Sequence, residues 1–79
     1  MEQDKFLQLF KEQYIDGDEI SLDFKINFRS ISSFDSLTGM AIMAVIKDEF
    51  DVDLTIEEWK SLQTVEDVYN FIQIKLANR

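Results

Sequence analysis

Apolar residues recur along this chain with two different periods, and the change of period divides it. From Asp4 to Tyr14, Phe6, Leu9, Phe10 and Tyr14 fall at helical spacing, one stripe of an amphipathic helix. Asp16-Gly17-Asp18 closes that stretch, with Gly17 the expected left-handed exit residue. From Ser36 to Phe50 the period is helical again. Ile42, Met43, Ile46 and Phe50 form the inward stripe; Leu37, Met40, Ala41, Ala44, Lys47 and Asp48 lie on other faces. A short helix over 56–61 is announced by Thr55 and Glu58, the S/T-x-x-E capping box. A last helix starts after Thr64, with Asp67 three residues on, and packs Val65, Val68, Phe71, Ile72 and Leu76.

Between the first two helices the period is two. Ile20, Leu22, Phe24, Ile26 and Phe28 alternate with Ser21, Asp23, Lys25, Asn27 and Arg29, normally the mark of a half-buried strand. A strand needs a partner, and the chain has no second run of this kind. The segment is therefore expected to be an extended part of a long loop, pinned by apolar side chains across a helix bundle. Edge pairing with a second chain is the alternative. The expected fold is all-α: a small four-helix bundle, three main helices and one short one, with a long first loop, in a single domain over 1–79.

Composition removes several chemistries. There is no Cys, hence no disulfide framework, thiolate metal site or cysteine nucleophile, and no His, the commonest general base. Asp16-Gly17-Asp18 hints at a calcium loop, but setting Gly17 at that loop's glycine position puts Tyr14 where an oxygen ligand is needed. Glu57-Glu58 are adjacent carboxylates on a short surface helix, with no burial to tune them for acid–base work. Gly39 sits inside a helix pattern, where it permits close approach of a loop or a partner. No apolar run reaches membrane-spanning length. The start, Met-Glu-Gln-Asp-Lys, lacks the basic and apolar regions of a signal peptide, and the expectation is a cytoplasmic protein.

The net charge is −8, which argues against nucleic acid or an anionic lipid surface as partner. Seven of those eight net charges fall in residues 35–67, where nine acids face only Lys47 and Lys60. Such a face either solubilises the protein or steers a basic partner.

Asp35-Ser36-Leu37 stands at the mouth of the second helix. Asp35 is a good N-cap. That places Ser36 in the first helical position with its hydroxyl exposed, beside unpaired N–H groups and the positive end of the helix dipole, where a phosphate is stabilised. Leu37 would stand on the surface next to it.

The residues after Asp35-Ser36-Leu37 extend the pattern: a helix ending in Asp48-Glu49-Phe50, the exit Asp51-Val-Asp-Leu54, Thr55-Ile-Glu-Glu-Trp59, and Thr64-Val-Glu-Asp-Val-Tyr-Asn-Phe-Ile72. In order and spacing, residues 35–72 resemble the acyl carrier protein family; the upstream half fits loosely, as one helix and a long loop. The resemblance implies a carrier that is not itself an enzyme. It implies phosphopantetheine, moved from coenzyme A onto Ser36 by a separate phosphopantetheinyl transferase, with Asp35 and Leu37 as motif flanks. It implies acyl thioesters on that arm, delivered to fatty-acid, polyketide or other specialised biosynthetic enzymes with basic docking patches. Leu37 and Met40 would form an apolar docking patch, and Asp48, Glu49, Glu57 and Glu58 an acidic rim, on a monomer. An aminoacyl or peptidyl carrier, or an unmodified interaction module of the same fold, are the alternatives.

The chain also departs from the family pattern. Thr38, Ala41 and Lys47 stand where acids are common, Ser33-Phe34 precede the motif in place of the usual Gly, and Trp59 stands where a small residue is typical. Carriers of this family can shelter an acyl chain between helices near that last position. The indole therefore implies a shortened or closed pocket.

Overall fold

The computed structural model describes residues 3–78. Among them the helices are α1 (Gln3–Lys11), α2 (Ser36–Phe50), α3 (Ile56–Ser61) and α4 (Val65–Ala77), with one 3-10 turn at Phe28–Ser30. The architecture is the small helical bundle expected, with α3 as the short member. Its Cα radius of gyration is 11.7 Å, close to the ~11.6 Å of a compact chain of this length, so the long first loop lies folded against the helices.

Local caps set most of the boundaries. Asp35 accepts from the Thr38 N–H at 2.8 Å and starts α2. Thr55 and Glu58 form a reciprocal capping box on α3, and Thr64 and Asp67 form another on α4. α2 ends on Asp51, which turns left-handed (φ 56°) and donates its N–H to the Lys47 carbonyl at 2.9 Å.

The exit of α1 differs from expectation. The α-helix stops at Lys11 rather than Tyr14. The chain then tightens into turns, with Tyr14 N–H donating to the Lys11 carbonyl and Gly17 N–H to the Tyr14 carbonyl, both at 3.1 Å. Tyr14 is still buried, so the apolar stripe outlasts the helix that carries it. Gly17 is not a left-handed exit, since no glycine has a positive φ. Its Cβ would lie 2.5 Å from the Lys11 carbonyl oxygen, so glycine is needed there for close approach of backbone to backbone.

The alternating segment is an extended, pinned loop. Phe28 is fully buried, while Ile20, Leu22, Phe24 and Ile26 pack half-buried against the core. Its backbone pairs with the α3–α4 junction. Phe28 N–H donates to the Gln63 carbonyl at 3.2 Å, Val65 N–H to Ile26 at 3.3 Å and Glu66 N–H to Phe24 at 2.9 Å. An isolated antiparallel bridge, Asn27 to Thr64, marks the crossing. The junction is too short to announce itself as a strand.

Phe28 sits in the middle of an aromatic core, its ring centroid 5.1 Å from Phe10, 5.2 Å from Trp59 and 5.8 Å from Phe34. Ile42 and Ile46 of α2 and Val65, Val68 and Ile72 of α4 complete it. Tyr14 donates its hydroxyl to the Phe28 carbonyl at 2.7 Å. Burial pushes this phenol up to about 12.

Candidate functional site at the head of helix α2

Ser36 is exposed in the first turn of α2, directly after the Asp35 cap. The Asp35 carboxylate holds both the N–H and the hydroxyl of Thr38, at 2.8 and 3.0 Å. These two bonds, the backbone one first, keep its pKa below the usual carboxylate value. Asp35 is therefore ionised and occupied with the first turn of α2, and Ser36 stands exposed beside it at the helix N-terminus.

Helix geometry sorts the next residues. Leu37 is 73% exposed and Met40 65%. With Ala41 and Ala44 they follow the i, i+3, i+4, i+7 spacing of one face, so an apolar stripe runs down the outside of α2 from Ser36 until Lys47 and Asp48. Thr38 and Gly39 are buried. Thr38 thus serves the cap from within, and its lack of charge does not alter the outer face. A Cβ on Gly39 would meet Phe34 Cζ at 3.4 Å and Trp59 Cζ2 at 3.6 Å.

Phe34 and Trp59 therefore floor the first two turns of α2, and Arg29 holds that floor together. Its Nε donates to the Leu62 carbonyl at 3.0 Å and its Nη2 to the Trp59 carbonyl. The guanidinium lies 4.9 Å from the Trp59 ring, 5.0 Å from Phe28 and 5.9 Å from Phe34. Planar and forked, it satisfies two carbonyls at the end of α3 while stacking on rings. The role of Arg29 is invisible in the sequence, where it reads as one polar step of an alternating run.

The acidic residues divide. Asp48, Glu49 and Glu57 are exposed. Glu58 is half-buried and already engaged: it caps α3 through the Thr55 N–H at 2.9 Å and meets Lys75 at 3.2 Å. The Thr55 bond, then Lys75, hold its pKa down. Lys47 bonds Asp51 at 2.8 Å and Asp53 at 3.1 Å, which raises its pKa, so the cation on α2 is turned toward the helix exit.

Comparison with known proteins bears on this site. A family model described as the phosphopantetheine attachment site matches residues 4–72. The chain is similar to the acyl carrier protein of Thermosynechococcus vestitus (strain NIES-2133 / IAM M-273 / BP-1), at 32% identity over 98% of this chain and 99% of that protein. It is also similar to the acyl carrier protein of Kocuria rhizophila (strain ATCC 9341 / DSM 348 / NBRC 103217 / DC2201), at 41% identity over 58% of this chain and 57% of that one. The chain belongs to the acyl carrier protein family. Its members are carriers rather than enzymes, and their prosthetic group is covalently attached phosphopantetheine. The α2 head fits such a group: it offers an exposed hydroxyl at the positive end of a helix dipole and an uncharged stripe beside it. Among the described residues no helix is long and apolar enough to cross a membrane.

Proposed function

We propose that Ser36 is the attachment point of phosphopantetheine and that this chain presents acyl groups to biosynthetic enzymes. The observation that carries the reading is the exposed Ser36 hydroxyl at the capped N-terminus of α2, flanked by solvent-facing Leu37 and Met40. When bound, the arm supplies the terminal thiol that this Cys-free chain lacks. Asp35 fixes the helix start through Thr38. The helix dipole favours the phosphate's charge at that position, with the N–H groups of Leu37 and Thr38 turned to the Asp35 carboxylate. Leu37 and Met40 give an arriving enzyme an apolar foothold, and Asp48, Glu49 and Glu57 give it acidic contacts.

The cargo is limited by the floor beneath α2. Trp59 and Phe34 fill the space under Gly39, and Arg29 locks them there. Close-packed interiors have no slack for a chain. The reading is therefore a carrier whose cargo is short or polar, or stays outside the bundle, in polyketide or another specialised pathway in preference to long-chain fatty-acid synthesis.

Two experiments test these statements. Incubation with coenzyme A and a broad-specificity transferase should add one phosphopantetheine mass to the wild type and none to Ser36→Ala; equal labelling of both sinks the assignment. For cargo, long acyl groups should raise the melting temperature of loaded Trp59→Ala more than that of the loaded wild type. Burial of a chain removes apolar area from water, so equal stabilisation of the two would show that the wild type already shelters it.

A further inference from the structure

Ile15 is 95% exposed, the most exposed large hydrophobic among the described residues. It stands on the tightened exit of α1, beside a depression of roughly 360 Å³. Glu12 and Ile15 from the α1 exit line that depression together with Asp35 and Leu37 from the head of α2. Two bonds to the segment before α2 hold the α1 exit in place: Tyr14 to the Phe28 carbonyl at 2.7 Å, and Ser33 to the Asp16 carboxylate at 2.6 Å. An exposed isoleucine thus shares this depression with exposed Leu37, and it comes from the α1 exit and not from the stripe that runs down α2.

From this juxtaposition we infer that Ile15 and Leu37 form an apolar clamp astride the depression, and that its occupant is a basic, apolar-tipped segment of the enzyme that modifies Ser36. The inference rests on the carrier reading above. Charge selects the occupant. Around Ile15 the surface carries Glu12, Asp16, Asp18 and Glu19 against Lys11. A net charge of −8 opposes a second copy of this chain and an anionic lipid surface alike. The modifying enzyme must hold coenzyme A, a polyphosphate, and that chemistry favours Lys and Arg around the mouth that meets Ser36. An apolar anchor inside an acidic ring matches a hydrophobic residue flanked by such cations.

The test uses the full chain, coenzyme A and a broad-specificity phosphopantetheinyl transferase, with loading tracked by intact mass. Ile15→Ser should raise KM about five- to tenfold with little change in kcat, and Ile15→Leu should restore it. Glu12→Lys should also raise KM, but that effect should shrink as salt is added, whereas the Ile15→Ser effect should persist. Thermal melts matching the wild type would show that the variants are folded. A wild type loaded on Ser36 with Ile15→Ser kinetically unchanged overturns the clamp and leaves the carrier reading intact. A wild type that takes up no arm overturns both. Sedimentation showing a dimer that Ile15→Ser dissolves would assign the face to a second copy and also overturn the proposal.

Discussion

Gly39 and Arg29 show opposite relations between a residue and its neighbours. Gly39 is buried against Phe34 and Trp59, yet an added methyl would meet them only at ordinary contact distances of 3.4 and 3.6 Å. The helix gains from alanine, by about 1 kcal/mol in a helix interior, so Gly39→Ala should be stabilising by up to roughly that amount. Thermal melts should move upward by several degrees, since ~1 kcal/mol shifts a domain of this size by about 4–8 °C. A lower melting temperature would mean that Phe34 or Trp59 cannot yield by even a few tenths of an ångström. Arg29 cannot be replaced so easily. Its guanidinium serves the Leu62 and Trp59 carbonyls together while stacking on three rings. Arg29→Met keeps a flexible stem but loses both hydrogen bonds, an expected cost of about 1–3 kcal/mol. Arg29→Lys should recover only part of it, because an ammonium lacks the fork. Urea unfolding of the two variants reads the difference.

Helix α2 divides cleanly between an inner face that holds the fold and an outer stripe that does not. Leu37→Ala and Met40→Ala should therefore unfold within about 0.5 kcal/mol of the wild type, whereas a core leucine would cost about 2–5 kcal/mol. Both should slow modification by the transferase. A large loss of stability with unchanged kinetics of the folded fraction would put the stripe in the core. At this scale the sequence was a good guide wherever a signal was local. Asp35, Thr55 with Glu58, and Thr64 with Asp67 are explicit caps, and α2, α3 and α4 begin where those residues say. It was a poor guide where the cause was tertiary. Tyr14 keeps the apolar period of α1 after the backbone has left the helix. Gly17 looks like a left-handed exit but is needed because the Lys11 carbonyl passes so close; among the described residues the left-handed one is Asp51. The alternating run around Phe24 found its backbone partner in the short α3–α4 junction. Of the α2 head, the exposure of Ser36, Leu37 and Met40 was legible from the cap and the period. The floor made by Arg29, Phe34 and Trp59, and the depression shared by Ile15 and Leu37, were not, because they join residues distant in the chain.

For the molecule as a whole, titration bounds stability on both sides. Asp35, Glu58 and Asp67 accept backbone N–H bonds at helix starts, and their pKa values lie below the ordinary ones. A depressed carboxylate contributes stability that is complete above its unfolded pKa and disappears as pH falls through the folded value. The acid-side loss of stability should thus set in as pH falls into the normal carboxylate range and continue below it toward the lowered folded values, and Asp67→Asn should flatten part of that dependence. Tyr14 acts at the other end. Its folded value of about 12 exceeds the ordinary 10.0, so its contribution is complete below pH 10.0 and lost as pH climbs toward about 12. Tyr14→Phe should cost about 1 kcal/mol at neutral pH through the lost bond to Phe28. Its alkaline unfolding curve should be flatter than the wild type's; a parallel curve would mean that the phenol does not govern that limb.

Trp59 is the only tryptophan in the chain, and it lies where α3, the crossing loop and the underside of the α2 head meet. The protein therefore carries one built-in optical reporter at the junction beneath the Ser36 turn. Its emission arises from a single environment, so each spectrum has one structural meaning. A shift on unfolding reports opening of the aromatic floor. A shift on loading, with the helices intact, reports cargo or arm disturbing the floor from above. An unchanged spectrum would mean that whatever Ser36 carries stays outside. The bulky side chain that fills the interior is thus also the means of observing, without any label, whether anything enters it.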